Sequence, residues 1–108
     1  MTAPAYFVDG TNFPLHHFDA VEVECVRDDG TCAEVIDAAD FGHAPAGSRD
    51  YWSVYLHFDP TQSHGRGVVC IADLPTRQAA EGLAIGLEIA LGSVIGARLV
   101  RHYTGGKA

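Results

Sequence analysis

Positive charge is scarce in this chain: one lysine and six arginines stand against 14 acidic residues among 108, a formal net charge of −7. A chain so charged has no general attraction for phosphate backbones or anionic lipids, so direct binding to nucleic acid or membrane is not expected. Cysteine is equally sparse. Cys25, Cys32 and Cys70 leave an odd thiol and form no CxxC pair, which argues against a disulfide framework and a ribbon-type zinc site. Reduced thiols in a cytoplasmic protein are the simplest expectation. The opening Met1-Thr2-Ala3-Pro4-Ala5 lacks a basic region followed by an apolar run, so no signal peptide is predicted. The longest apolar stretch, Ala79–Ala97, contains Glu81 and Glu88 and is interrupted by Gly92-Ser93, which predicts against a membrane span. Neither an internal repeat nor a low-complexity tract is present.

Apolar residues make up 47% of the chain and charged ones 19%. That balance predicts a folded chain with one core, and the length fits a single domain over residues 1–108. The acids are unevenly spread: residues 1–50 carry ten against two arginines, and residues 51–108 carry four against four arginines and one lysine.

Ala5–Asp9 is a short strand candidate ending at the turn formers Asp9-Gly10-Thr11-Asn12, and Pro14 disfavours an early helix. Ala20–Arg27 sets Val21, Val23 and Cys25 against Glu22, Glu24 and Val26, the alternation of a half-buried strand. Asp28-Asp29-Gly30 predicts a tight hairpin, with Cys32–Asp37 as its return strand. Phe41–Asp50 reads as a loop. Tyr51–Phe58 is the clearest strand, with Trp52, Val54, Leu56 and Phe58 on one face and Tyr51, Ser53, Tyr55 and His57 on the other. A polar loop, Asp59–Arg66, leads to a buried-looking strand at Gly67–Asp73. Thr76 is placed to cap a helix running to about Leu91, with Gly92 as its stop, and Ala97–Tyr103 reads as a last strand. The expected fold is α+β: a largely antiparallel sheet of about five or six strands with one C-terminal helix packed on one face.

The helix has two apolar stripes. Ala80, Leu83, Leu87 and Leu91 form one, suited to covering the sheet. Ala79, Gly82, Ile85, Gly86 and Ile89 form the second on roughly the opposite side, with Arg77, Glu81 and Glu88 as a narrow polar seam. One sheet covers one side of a helix. The second stripe therefore needs either Val94, Ile95 and Leu99 of the same chain or a second copy, and a two-fold dimer is the leading expectation.

Several residue groups could carry chemistry. Phe7-Val8-Asp9-Gly10-Thr11-Asn12 resembles the strand-end D-G-x-N of the NYN and PIN-like ribonucleases, where the resemblance implies an Asp holding a divalent metal. That family pattern continues directly into a helix, whereas Pro14 and an alternating strand follow here, so a turn using Asp9 and Asn12 is expected. His16-His17-Phe18-Asp19 crowds possible ligands, but neighbours in an extended segment point to opposite sides. His43, His57, His64 and His102 show no HxH or HxxxH spacing, and neither metal nor cofactor is expected. Nothing local marks Cys32 or Ser53 as a nucleophile, and Gly65-Arg66-Gly67 lacks the length and lysine of a phosphate loop. The most unusual polar surface is the hairpin with Glu22, Glu24, Asp28, Asp29 and Glu34. A three-residue loop would set Glu24 opposite Glu34, an unfavourable pairing that a basic partner would relieve.

These features predict a small non-enzymatic protein-binding or regulatory module acting as a homodimer. The alternatives are an acidic inhibitor or decoy, of the kind phage and plasmids encode, that blocks the basic surface of a nucleic-acid-handling complex, and a small enzyme with an assembled Cys/His or His/Asp site.

Overall fold

The computed structural model describes residues 5–8, 11–14, 17–59, 61, 67–95 and 100–104, with side chains for 17–59, 61, 67–93 and 100–104. Strands β1 (Ala5–Val8) and β2 (Thr11–Pro14) pair antiparallel as a separate two-stranded ribbon. A strand thus stands where the ribonuclease pattern would place a helix. The main sheet contains β3 (Phe18–Asp28), β4 (Ala33–Val35), β5 (Arg49–Phe58), β6 (Val68–Leu74) and β7 (Arg101–Thr104). Its order is β4-β3-β5-β6, all antiparallel, while β7 pairs with β3 in parallel. β4 takes the Val26–Asp28 end of β3 and β7 the Ala20–Val23 end, so two short strands are partners of one long one. The one α-helix among the described residues, α1 (Arg77–Ile95), packs on this sheet, giving the expected α+β fold.

The core follows the alternation of the two long strands. Val21, Val23 and Cys25 of β3 and Trp52, Val54, Leu56 and Phe58 of β5 lie on one face and are buried against Ala80, Ala84 and Leu91 of α1. Leu83 and Leu87 pack on the same cluster while remaining partly exposed. The helix begins as expected, with the Thr76 hydroxyl accepting from the Ala79 amide at 3.1 Å. It does not stop at Gly92 but continues to Ile95. A helical glycine costs about 1 kcal/mol relative to alanine, and here that cost does not end the helix.

Other boundaries also shift. β4 is shorter than Cys32–Asp37, and a 3-10 turn at Ala38–Asp40 follows it, capped by Asp37. β6 is an edge strand, not a buried one: Val68 and Cys70 are exposed, whereas Cys25 is buried as its pattern implies. A bulge between Val54 and Tyr55 places one extra residue, Ile71, in β6.

β7 is tied to the helix through His102. His102 Nε2 lies 3.0 Å from Glu81 Oε2, and Nδ1 lies 2.6 Å from Glu88 Oε1. The contacts are close, but neither His102 Nε2 nor Glu88 Oε1 has a well-directed hydrogen-bond partner. Thr104 Oγ1 adds a hydrogen bond to Glu81 Oε1 at 3.1 Å.

Candidate functional site

Two surfaces stand out, one on each side of the sheet-helix sandwich. The first is the outer face of α1. Ile85 is 52% exposed and Ile89 69% exposed, and Ala79, Gly82 and Gly86 lie open beside them. A Cβ placed on Gly82 or Gly86 would meet nothing within 4 Å. The self-association stripe read from the sequence is therefore an uncovered surface among the described residues. The side chains of Val94, Ile95 and Leu99 lie outside the described residues.

The second surface is the face of the sheet opposite the helix. There β3 presents Glu22 and Glu24, β5 presents Ser53, Tyr55 and His57, and β6 presents Val68, Cys70 and Asp73. Register brings them together: Glu22 is the Cα partner of Tyr55, which pairs with Cys70, and Glu24 is the partner of Ser53, which pairs with Asp73. A groove of about 270 Å³ is lined by Glu22, Glu24, Val35, Tyr55 and Val68.

One groove carboxyl differs from a surface acid. Burial, followed by a hydrogen bond and repulsion from Glu22, pushes the Glu24 carboxyl up to about 7. Glu22 in turn accepts from the other side, with His57 Nε2 2.7 Å from its Oε2. His57 also rests beside the Tyr103 ring of β7, centroids 5.9 Å apart. Burial likewise raises the Tyr55 hydroxyl, ahead of the charges of Cys70 and Asp73.

Of the two nucleophiles considered from the sequence, Cys32 is exposed, whereas Ser53 is placed poorly for attack. Ser53 is 1% exposed and its hydroxyl donates to Asp73 Oδ1 at 2.6 Å. Burial, then Asp73, pushes the Cys70 thiol up to about 11, which suppresses the reactive thiolate. Among the described residues no group of three or more His, Cys, Asp or Glu side chains is arranged to hold a metal ion. Nor is any described helix long and apolar enough to cross a membrane.

The acidic hairpin separates into three environments. Glu22 and Glu24 enter the groove. Asp28 and Asp29 build the turn: Asp28 Oδ1 accepts from the Gly30 amide at 2.8 Å, and Asp29 Oδ1 accepts from Thr31 and Cys32 at 2.8 and 2.9 Å. Those two backbone donors hold the Asp29 carboxyl below its ordinary value. Gly30 supplies the positive φ of 91° that this turn needs. Glu34 pairs with Arg27, not with Glu24, correcting the expected register. The Asx hydrogen bonds lengthen the loop to Asp29–Cys32 and move β4 along β3. The sequence missed the groove's other walls, Val35, Tyr55 and Val68, because they come from three strands whose register no local pattern specifies. The only forewarning was the second face of Tyr51–Phe58.

Compared with protein-family models, with curated proteins and with solved structures, the chain matches none of them.

Proposed function

We propose that this protein is a small non-enzymatic protein-binding module that works as a homodimer through the outer face of α1. The observation that carries this reading is the apolar stripe of Ile85 and Ile89 flanked by Gly82 and Gly86, exposed on a helix whose opposite side already covers the sheet. A contiguous apolar patch of this kind marks a contact surface more often than a plain solvent face. A second copy is the occupant, because a two-fold axis covers the same stripe on both chains at once and the two glycines permit close approach of the helix backbones. The buried Ser53 hydroxyl and the raised Cys70 thiol weigh against catalysis at those residues.

Sedimentation at micromolar concentration tests the reading, with a dimer expected for the wild type. Gly86→Leu adds a side chain at a position where a Cβ would meet no described residue within 4 Å. It should shift the equilibrium to monomer while leaving the circular dichroism of the fold unchanged. A monomeric wild type rejects the proposal.

A further inference from the structure

The groove on the open sheet face is independent of the helix surface, and its chemistry specifies a different visitor. Two glutamates stand two residues apart on β3, so their side chains leave the same face of the sheet. Both line the groove together with Tyr55, Val35 and Val68. Val35 is 56% exposed and Val68 42% exposed, so apolar surface is presented to the outside immediately beside the acids.

The described cations of the chain are engaged elsewhere. Arg27 is bound by Asp50, Arg77 sits between Glu81 and the Trp52 ring, Arg49 lies over Tyr51, and Arg101 donates to the Tyr103 hydroxyl. Among the described residues His57 contacts Glu22, and Arg101 stands on the same face, held by the hydroxyl of Tyr103, the strand neighbour of Glu22.

We propose that the groove docks a lysine or arginine side chain of a partner protein, the cationic head between Glu22 and Glu24 and the aliphatic stem over Tyr55, Val35 and Val68. Charge complementarity selects this occupant. Burial, and behind it a hydrogen bond and repulsion from Glu22, pushes the Glu24 carboxyl up to about 7, so without a cation it keeps a proton more readily than a surface glutamate. A basic side chain takes the place of that proton: the protonated Glu24 loses it to solvent and the carboxylate accepts from the incoming N–H. The stem of such a side chain is apolar, matching a groove whose walls are valine and tyrosine. The titratable groups around the pair are His57 and Tyr55 from β5, Cys70 and Asp73 from β6, and Tyr103 from β7. Asp73 and Cys70 stand beyond Ser53 and Tyr55 in the sheet, whereas Tyr103 is the direct neighbour of Glu22 on β7, its ring beside His57.

The test is a carboxyl carbon NMR titration of glutamate-labelled protein with the blocked tripeptide acetyl-Gly-Lys-Gly-amide. Its controls are acetyl-Gly-norleucine-Gly-amide and methylammonium. The expected result is a saturable shift at Glu22 and Glu24 with the lysine peptide alone, together with a fall of the Glu24 midpoint below about 7. Glu24→Gln, which mimics the protonated form and so leaves the fold undisturbed, should abolish the saturable shift. Equal shifts with the norleucine peptide would show a purely apolar groove and overturn the proposal. Equal effects of methylammonium would show a small-amine site and overturn it likewise. A Glu24 midpoint that falls with protein concentration alone would assign the groove to a second copy, again against the proposal.

Discussion

Asp50 grips Arg27 with both carboxylate oxygens, Nε to Oδ1 at 2.8 Å and Nη2 to Oδ2 at 3.1 Å, on the helix side of the β3–β5 pair. The same arginine donates to the Asp40 carbonyl, and the Gly42 amide donates to Asp50 Oδ2, so this pair ties the loop between β4 and β5 across one end of the core. The hydrogen bond from Arg27 holds the Asp50 carboxyl below the ordinary carboxylate range. Depression below the unfolded value, about 3.9, means that the stabilisation is complete above that pH and is lost as pH falls through the folded value. Asp50→Asn should therefore lower the unfolding midpoint at pH 7 and approach the wild type below about pH 4. Parallel thermal melts at the two pH values check this. An equal deficit at both would mean that packing, not charge, sets the role of Asp50.

Trp52 is 3% exposed, with the Phe41 ring 5.5 Å away on one side and the Arg77 guanidinium 5.2 Å from its centroid. Truncating a buried aromatic costs about 3–5 kcal/mol, a large part of the stability of a chain this size. Trp52→Ala should unfold in urea at a markedly lower concentration or aggregate on expression. Wild-type-like unfolding would displace Trp52 from the core.

That core was legible in advance because burial on a strand has a period of two. Tyr51–Phe58 and Ala20–Arg27 declare their inner faces without knowledge of their neighbours, and Thr76 declares the helix start. What the sequence left open depends on pairing across strands. Asp28-Asp29-Gly30 read as a three-residue loop sets Glu34 opposite Glu24, whereas the Asx hydrogen bonds of Asp28 and Asp29 set a longer loop and bring Glu34 to Arg27. The β6 bulge at Ile71 was equally invisible, yet it decides that Cys70 and Val68 face the groove side. The two apolar helix stripes were readable from periodicity alone, although Ala84 proved as buried as Ala80.

The Glu22–Glu24 pair makes stability depend on pH in the opposite sense to Asp50. With the Glu24 carboxyl near 7 in the fold and about 4.3 when unfolded, the native state binds the extra proton between those values. Stability from this group is then greatest below about pH 4, declines as pH rises towards 7, and changes no further above it. Glu24→Gln cannot lose a proton. Its stability relative to wild type should rise across that window and then level off. Urea unfolding at a series of pH values reads the difference directly, and a difference independent of pH would show that the fold does not raise the Glu24 carboxyl.

The last prediction concerns the hold on β7. Strand β7 has four residues and pairs only with the Ala20–Val23 end of β3, so backbone bonding alone gives it little purchase. His102 adds side-chain contacts, ionic when the ring is protonated: its two ring nitrogens reach Glu81 and Glu88, seven residues apart on α1. A neutral imidazole carries one N–H and serves one carboxylate, whereas the imidazolium serves both. Removing the ring leaves Glu88 without that contact and Glu81 with Thr104 and the longer Arg77 contact at 3.7 Å. A partly exposed ion pair contributes up to about 1 kcal/mol, which corresponds to local opening roughly fivefold more frequent. His102→Ala should therefore accelerate hydrogen exchange in Arg101–Thr104 and in the β3 amides that face β7, while amides bonded between β3 and β5 keep their protection. His102→Lys, which returns a cation to the site, should recover part of the loss. Unchanged exchange in His102→Ala would mean that the parallel ladder holds β7 by itself, and faster exchange throughout β3 and β5 would mean that His102 supports the whole sheet.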